Sequence, residues 1–162
     1  MAERQQANMR HAKKAPKKET VKPLTITALG RRFHFSNTAR QFRFRLHDAG
    51  SGRAVLRMTV LPKHKQIHGV VHGGVLASLA DTAGGLATYL ALPAGSRTAT
   101  VEMKINFLEP VERGTIFAEA RVLRLGKYLA VVECDVNDDH GKLLAKALMT
   151  FSIGTDKFRR AK

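Results

Sequence analysis

One carboxylate stands in a long run of small and apolar residues that extends from His72 to Ala91. This residue is Asp81, and it could act as a general base or as a nucleophile. Taking a charged carboxylate out of water is costly unless it is paired, and such groups gather at functional sites. An aspartate that only satisfies local hydrogen bonds is the alternative interpretation.

The start of the same run offers a second chemical feature. His72-Gly73-Gly74 places two residues without side chains where the run begins. The first N–H groups of a helix lack partners within the helix, and the helix dipole is positive at that end. A carbonyl or anionic oxygen could bind there, which predicts the chemistry of an oxyanion hole and favours a functional role for Asp81.

These groups are positioned by one predicted helix, because alanine and leucine favour helices and the first proline after His72 is Pro93. Small or apolar residues lie on every side, so we expect other structure to enclose the helix. The eight-residue spacing from Gly73 to Asp81 corresponds to about 12 Å along a helix and about 80° around it. One helix cannot bring both groups to one reacting centre, but two antiparallel copies can, which predicts a site shared by a homodimer.

Two-residue periodicity predicts strands on both sides of this helix. Ser36-Asn37 could cap a brief helix that ends at Phe42, and strands are expected over residues 42–46, 53–61, 99–107, 115–125, 128–136 and 142–153. Thr100 and Glu102 are expected on one face of their strand and Met103 on the other. Short turns favour antiparallel pairing, and the helix must cover the apolar face of the sheet. The fold class is therefore predicted as α+β, with five or six antiparallel strands.

Several motifs together resemble a known family. They are His72-Gly73-Gly74 followed after six residues by Asp81-Thr82-Ala83, the segment from Thr100 to Pro110, Gly114, Gly126-Lys127, and Asp138 with Gly141-Lys142. Over about residues 40–153 the sequence is similar to the hotdog-fold thioesterases of the phenylacetate-degradation, or PaaI-like, type. The resemblance implies one long helix wrapped by an antiparallel sheet, and homodimers that pair into a dimer of dimers. It also implies hydrolysis of acyl-CoA thioesters without metal or cofactor, CoA being part of the substrate.

The resemblance further implies roles for individual residues. Asp81 matches the catalytic carboxylate, and Gly73 matches the residue whose N–H polarises the thioester carbonyl. Gln66 falls where an amide side chain helps to orient substrate or water, and Thr100 where a hydroxyl assists the carboxylate. In the family the glycine and the amide come from one subunit and the carboxylate and hydroxyl from its partner, which agrees with the helix spacing.

Four further residues are candidates for substrate binding. Gly126 and Lys127 match a turn near the CoA moiety, although a solvated lysine in a turn is the commoner case. Gly74 and His72 lie at the helix start, where His72 is interpreted chiefly as a structural residue that holds the loop or the helix start. Gly84-Gly85 marks either a close helix crossing or space for an acyl chain.

The charge of the chain lies mostly in its N-terminal part. Of the formal net charge of +15, residues 1–46 carry +10 and residues 47–162 carry +5. The chain divides into a basic tail expected to be disordered (1–23), a lead-in segment (24–40), the hotdog domain (41–154) and a basic C-terminal tail (155–162). Because no recognition motif or interleaved aromatic residues accompany the charges, no specific nucleic-acid partner is expected.

Composition also bears on membrane, metal and thiol chemistry. An aspartate and many small residues argue against a membrane span from Val70 to Leu92. The lone Cys134 allows no internal disulfide, is expected to be buried, and fits a reducing, cytoplasmic location. No metal site is expected at the three histidines of four-residue spacing, because no carboxylate or cysteine nearby completes a ligand set. These histidines are His64, His68 and His72.

Two functions of different classes are open at this point. The first is an acyl-CoA thioesterase, with either an aryl or a fatty acyl group as its substrate. The second is a non-catalytic acyl-CoA sensor, whose basic tail would contact nucleic acid. Asp81, Gly73 and Gln66 together favour the enzyme, because a sensor need not keep them.

Overall fold

A computed structural model describes residues 36–94 and 96–155. The predictions for the tail 1–23, for most of the lead-in segment and for nearly all of the C-terminal tail lie outside these residues. The helices are α1 (Asn37–Phe42) and α2 (Gly73–Ala91), with a short 3-10 turn at Pro62–His64. The strands are β1 (Arg45–Gly50), β2 (Arg53–Thr59), β3 (Ser96–Phe107), β4 (Thr115–Leu125), β5 (Leu129–Asp138) and β6 (Leu143–Thr155).

The strands form one six-stranded antiparallel sheet in the order β1-β2-β4-β5-β6-β3. Residues that alternate along the central strands bury small or branched side chains against α2, among them Ala118, Ala120, Val132 and Ala147. The core therefore lies between the helix and one face of the sheet. The predicted α+β fold, with one long helix against an antiparallel sheet, is confirmed.

The N-terminal elements differ in part from the sequence prediction. Ser36 does cap α1, its hydroxyl accepting a hydrogen bond from the Ala39 N–H at 3.3 Å. The predicted strand over 42–46 is wrong at its start, because Phe42 ends the helix and Arg43 adopts a left-handed conformation with φ +57°. Buried Phe44 packs in the core, and its ring stacks on Phe42. The alternation of aromatic and basic residues here reflects a helix end rather than a strand.

A bulge in β3 changes which residues face the helix. The pairing with β6 shifts between Thr100 and Glu102, so that Thr100 lies opposite buried Phe151 whereas Glu102 lies opposite Thr150. Thr100 and Glu102 were predicted on one face, and the extra residue, Val101, places them on opposite faces. Thr100 consequently points to the side of the sheet that carries α2.

The described residues cover helix α2 on one side only, so they do not by themselves provide the enclosure that was expected. The residues buried against the sheet follow three- and four-residue steps, namely Val75, Leu76, Leu79, Ala80, Ala83, Gly84, Ala87 and Thr88. The intervening residues, Asp81 among them, are only partly buried. The small residues of α2 therefore also form a second helix face, which the described part of one chain leaves uncovered.

The first of the paired glycines permits the close approach of helix and sheet. A Cβ atom at Gly84 would lie 2.6 Å from Met149 Cε and 3.0 Å from Phe151 Cε2. A Cβ at Gly85 would meet only Phe151, at 3.5 Å. Close packing was one of the two interpretations of this pair, and it accounts for Gly84.

Candidate active site

The Asp81 carboxylate is held by a hydroxyl from the sheet. Thr100 Oγ1 donates a hydrogen bond of 2.6 Å to Asp81 Oδ1, a length typical of a hydroxyl bound to a charged oxygen. Thr100 reaches the helix because of the bulge in β3. In the described part of the chain, Asp81 Oδ2 has no hydrogen-bond partner. The carboxylate is thus oriented at one oxygen and open at the other, as a base or nucleophile requires.

The start of α2 leaves one backbone donor free. His72 is the N-cap, and its Nδ1 accepts a hydrogen bond of 2.8 Å from the Gly74 N–H. The His72 carbonyl accepts bonds from the N–H groups of Val75 and Leu76. Among the described residues nothing accepts a bond from the Gly73 N–H. Capping by His72 therefore leaves Gly73, rather than Gly74, as the donor available to a ligand.

A cavity of about 350 Å³ opens beside this donor. Gln66 and Gly73 both line it, with Leu76 and Phe107 among its apolar walls. The Phe107 ring lies 3.2 Å from where a Cβ atom at residue 73 would stand, so a side chain there would press on the ring. The cavity combines an amide side chain and a backbone N–H with apolar walls, which suits a carbonyl attached to an apolar group.

The loop that carries Gln66 is held by its own backbone. The Gln66 N–H donates to the Val70 carbonyl at 2.9 Å, and the Gly69 N–H returns a bond of 3.0 Å to the Gln66 carbonyl. Gly69 has φ +83°, a conformation that favours glycine. Buried His64 ties the loop to the helix start, since its carbonyl accepts from the His72 N–H at 2.9 Å. Burial lowers the pKa of the His64 imidazole.

Within one chain these four candidates form two separate pairs. Gln66 and Gly73 line the cavity, whereas Asp81 and Thr100 do not. Asp81 stands eight residues farther along α2 than Gly73 and on its partly covered side. This separation is what the helix spacing predicts for a site completed by a second copy.

The candidate turn at Gly126 and Lys127 lies apart from both pairs, between β4 and β5. The Gly126 N–H donates to the Leu129 carbonyl at 2.8 Å, and a Cβ at Gly126 would lie 2.9 Å from that oxygen, which explains the glycine. Lys127 Nζ stands 5.1 Å from the centre of the exposed Tyr128 ring. A role of this turn in binding CoA stays a prediction.

The residues that close the cavity were not predicted as part of the site. Phe107 ends β3, is 52% exposed and forms a wall of the cavity next to Gly73. Glu109, Pro110 and Val111 line the same cavity just after the strand ends. Their position at the end of the motif from Thr100 to Pro110 was the one signal that the sequence offered. The sequence did not predict that they face the start of α2, because that depends on the topology of the sheet.

The described residues also bear on metal, membrane and thiol chemistry. In these ranges no three His, Cys, Asp or Glu side chains come together so that they could hold a metal ion. None of the helices that the structure describes is long and apolar enough to span a membrane. Cys134 is fully buried, as predicted, and burial raises the pKa of its thiol to about 12. It therefore stays protonated at neutral pH and is a poor nucleophile.

Known proteins resemble this chain in sequence and in structure. The sequence profile of the thioesterase superfamily matches residues 68–145. The chain is 33% identical over 111 residues to human acyl-coenzyme A thioesterase 13, covering 67% of this chain and 79% of the relative. Its structure superimposes on a thioesterase from Haemophilus influenzae with a TM-score of 0.78 and 28% identity, covering 83% of this chain and 93% of that one. It superimposes on the PaaI protein of the E. coli phenylacetic acid degradation operon with a TM-score of 0.74 and 25% identity, covering 83% and 98%.

Proposed function

This chain belongs to the thioesterase superfamily and is a thioester hydrolase, and we propose that it hydrolyses acyl-CoA to a free acid and CoA. The predicted resemblance to PaaI-like proteins is confirmed. The name of the human relative supports acyl-CoA as the substrate class. The apolar walls of the cavity suit an aryl or a fatty acyl group equally.

The observation that carries the proposal is the hydrogen bond between Thr100 and Asp81. The only acidic residue of α2 is fixed at 2.6 Å by a strand hydroxyl, and its second oxygen is unoccupied in the described part of the chain. Because no residue of the described fold occupies this oxygen, it is available to accept a proton from water or to attack a carbonyl carbon. The bond presents Oδ2 to whatever covers this side of the helix.

The proposed reaction uses two copies of the chain. The thioester carbonyl lies in the cavity of one copy, where the Gly73 N–H and the positive end of the helix stabilise the developing oxyanion, and Gln66 orients the substrate or water. Asp81 of the second copy takes a proton from water as the water oxygen attacks the carbonyl carbon. The carbon–sulfur bond then breaks, and the CoA thiolate takes up a proton. Direct attack by the carboxylate, followed by hydrolysis of the anhydride, would use the same geometry.

The outer strand β3 supports such a dimer. It is 12 residues long, carries Thr100, and among the described residues pairs with a strand on one side only. A long open edge offers unpaired backbone groups to another chain. Helix α2 also presents its partly covered side, with Asp81, next to this strand. A second copy placed across this edge would cover both features at once.

Steady-state hydrolysis of a panel of aryl and fatty acyl-CoAs tests the proposal. Asp81→Asn should reduce kcat by about a hundredfold to ten-thousandfold, the range for loss of a general base. The matched control is Asp135→Asn, since that carboxylate lies on the opposite face of the sheet, where it pairs with Lys146, and the variant should keep the wild-type kcat. Unchanged turnover by Asp81→Asn would contradict the assigned role, and binding without turnover by the wild type would favour the sensor.

A further inference from the structure

The end of the hairpin formed by β4 and β5 exposes a cluster of apolar side chains. All seven residues from 123 to 129 are exposed, and we call this segment the hairpin tip. Contiguous exposed apolar residues mark a surface that contacts a protein or a membrane, whereas single ones need no explanation. Four residues of the hairpin tip are large and hydrophobic, with the exposed fractions Leu123 56%, Leu125 45%, Tyr128 67% and Leu129 49%.

The leucines of the hairpin tip point to both faces of the sheet. Leu125 lies directly opposite buried Ala130 and so shares its face. Leu129 is next to Ala130 along β5 and therefore points to the other face. Both leucines are exposed, so the hairpin tip is an apolar projection rather than one side of a flat surface.

The formation of a turn does not explain these apolar residues. The turn between β1 and β2 is Ser51-Gly52, and residues 139–142 connect β5 to β6. Both segments consist of the small, polar and charged residues that are typical of turns. The leucines and the tyrosine of the hairpin tip are therefore not needed to close a hairpin in this sheet.

The hairpin tip is basic as well as apolar. It contains Arg124 and Lys127, and the sequence has no acidic residue from Arg121 to Ala130. Among the described residues neither Arg124 nor Lys127 forms an ion pair. Lys127 Nζ stands instead 5.1 Å from the centre of the Tyr128 ring. An apolar segment that carries such cations is complementary to a surface with anionic headgroups over an apolar interior.

We propose that the hairpin tip is a docking site for an anionic lipid membrane. The leucine and tyrosine side chains would enter the boundary between headgroups and acyl chains, while Arg124 and Lys127 lie at the level of the lipid phosphates. A tip that is apolar on both faces suits insertion into lipid, because lipid surrounds it on every side. A flat protein surface would cover one of the two faces only.

Within one chain the hairpin tip lies far from the cavity at Gly73. Leu129 is opposite Ser152 of β6, whereas Phe107, a wall of the cavity, is opposite Ala145 of the same strand. The seven residues that separate Ala145 from Ser152 correspond to about 23 Å along a strand. Docking at the hairpin tip therefore leaves the cavity of the same chain clear of the lipid.

Co-sedimentation of the full-length chain with vesicles tests this site, using phosphatidylcholine alone and phosphatidylcholine mixed with phosphatidylserine. Residues 1–46 carry +10 and also attract anionic lipid, so the informative comparison is between variants that share them. The double variant Leu125→Thr/Leu129→Thr removes apolar surface but no charge, and threonine favours strands. It should bind the mixed vesicles about tenfold more weakly than the wild type, or weaker still, and the difference should persist at high salt.

Two single variants separate the apolar from the electrostatic contribution. Tyr128→Ser changes a residue between β4 and β5, outside the paired strands, and should weaken binding at low and at high salt. Arg124→Gln should weaken binding by about fivefold at low salt, the effect of one basic residue at an anionic surface, and by less at high salt.

The matched control is Ile67→Thr/Leu148→Thr, which removes two exposed hydrophobic residues outside the hairpin tip. Its vesicle binding should stay within about twofold of the wild-type value, because the hairpin tip is intact. The proposal is overturned if the wild type does not bind the mixed vesicles, or if the control loses as much binding as the Leu125 and Leu129 double variant.

A protein contact at the hairpin tip would give a different result. If that double variant binds vesicles like the wild type but changes the mass of the assembly in sedimentation velocity, the hairpin tip is a contact between copies and the proposal is overturned. The readout is vesicle binding, so it stands or fails independently of thioester hydrolysis.

Discussion

At the scale of single residues, the hydroxyl of Thr100 has a role that can be isolated. Thr100→Val keeps the shape of the side chain but removes the donor to Asp81. A hydrogen bond to a charged group contributes about 1.5–3 kcal/mol, so kcat should fall by about tenfold to a hundredfold if the bond orients the base. Thr100→Ser, which retains the hydroxyl, should recover most of the rate in the same acyl-CoA assay.

The same strand supplies the control for that substitution. Among the described residues the buried hydroxyl of Thr98 has no hydrogen-bond partner, so Thr98→Val should leave kcat unchanged and should not destabilise the fold. Equal losses of kcat in the Thr98 and Thr100 variants would mean that the substitutions lower kcat by disturbing strand β3, and not through the hydrogen bond to Asp81.

The cap at the start of α2 has an effect on stability that is distinct from any role in binding. His72→Ala removes the acceptor of the Gly74 N–H, and loss of an N-cap costs about 0.5–2 kcal/mol. His72→Asn should restore most of this free energy of unfolding, because asparagine is a favoured N-cap. Urea unfolding monitored by circular dichroism measures the difference, and equal stability of His72→Ala and the wild type would show that the cap does not stabilise the helix.

At the scale of elements, the two adjacent glycines of α2 should respond to alanine in opposite directions. Alanine stabilises a helix interior by about 0.5–1 kcal/mol relative to glycine. At Gly84 the added Cβ would collide with Met149 and Phe151, and overpacking costs about 1–3 kcal/mol, so Gly84→Ala should be net destabilising. At Gly85 the same Cβ makes an ordinary contact at 3.5 Å, so Gly85→Ala should be stabilising.

Thermal unfolding of both glycine variants checks this contrast. A lower Tm for Gly84→Ala and a higher Tm for Gly85→Ala are expected. Stabilisation by both would show that the end of the Met149 side chain moves away from the added Cβ at Gly84 at little cost.

The elements also show what the sequence could predict. Alternation placed β4 and β5 within two residues of their observed bounds, because the two-residue period survives wherever the pairing is regular. It failed at Val101, since an extra residue in a strand leaves no mark in the alternation itself. It also failed at Phe42 and Arg43, where a helix end imitates a strand. The order of the strands, and with it the wall formed by Phe107, depends on contacts between distant segments.

At the scale of the whole molecule, a shared site predicts that two inactive variants restore each other. Asp81→Asn lacks the carboxylate, and Gly73→Pro lacks the backbone donor at a position where helices accept proline. In a mixed dimer one of the two sites would combine an intact Gly73 with an intact Asp81. Since half of randomly assembled dimers are mixed, about a quarter of the wild-type activity should return.

The measurement is acyl-CoA hydrolysis after the two variants are unfolded together and refolded in equal amounts. Each variant refolded alone is the control and should stay inactive. Activity that does not rise on mixing would indicate that each chain carries a complete site, contrary to the separation of the two pairs within one chain.

Among the described strands β3 has a neighbour on one side only, and it also holds the hydroxyl that orients the carboxylate. In the proposed dimer a substitution in β3 would therefore act on turnover by two routes, through the bond to Asp81 and through the fit of the second copy. A β3 variant that folds but loses turnover has to be assayed for its assembly as well as for hydrolysis before the loss is assigned to either route.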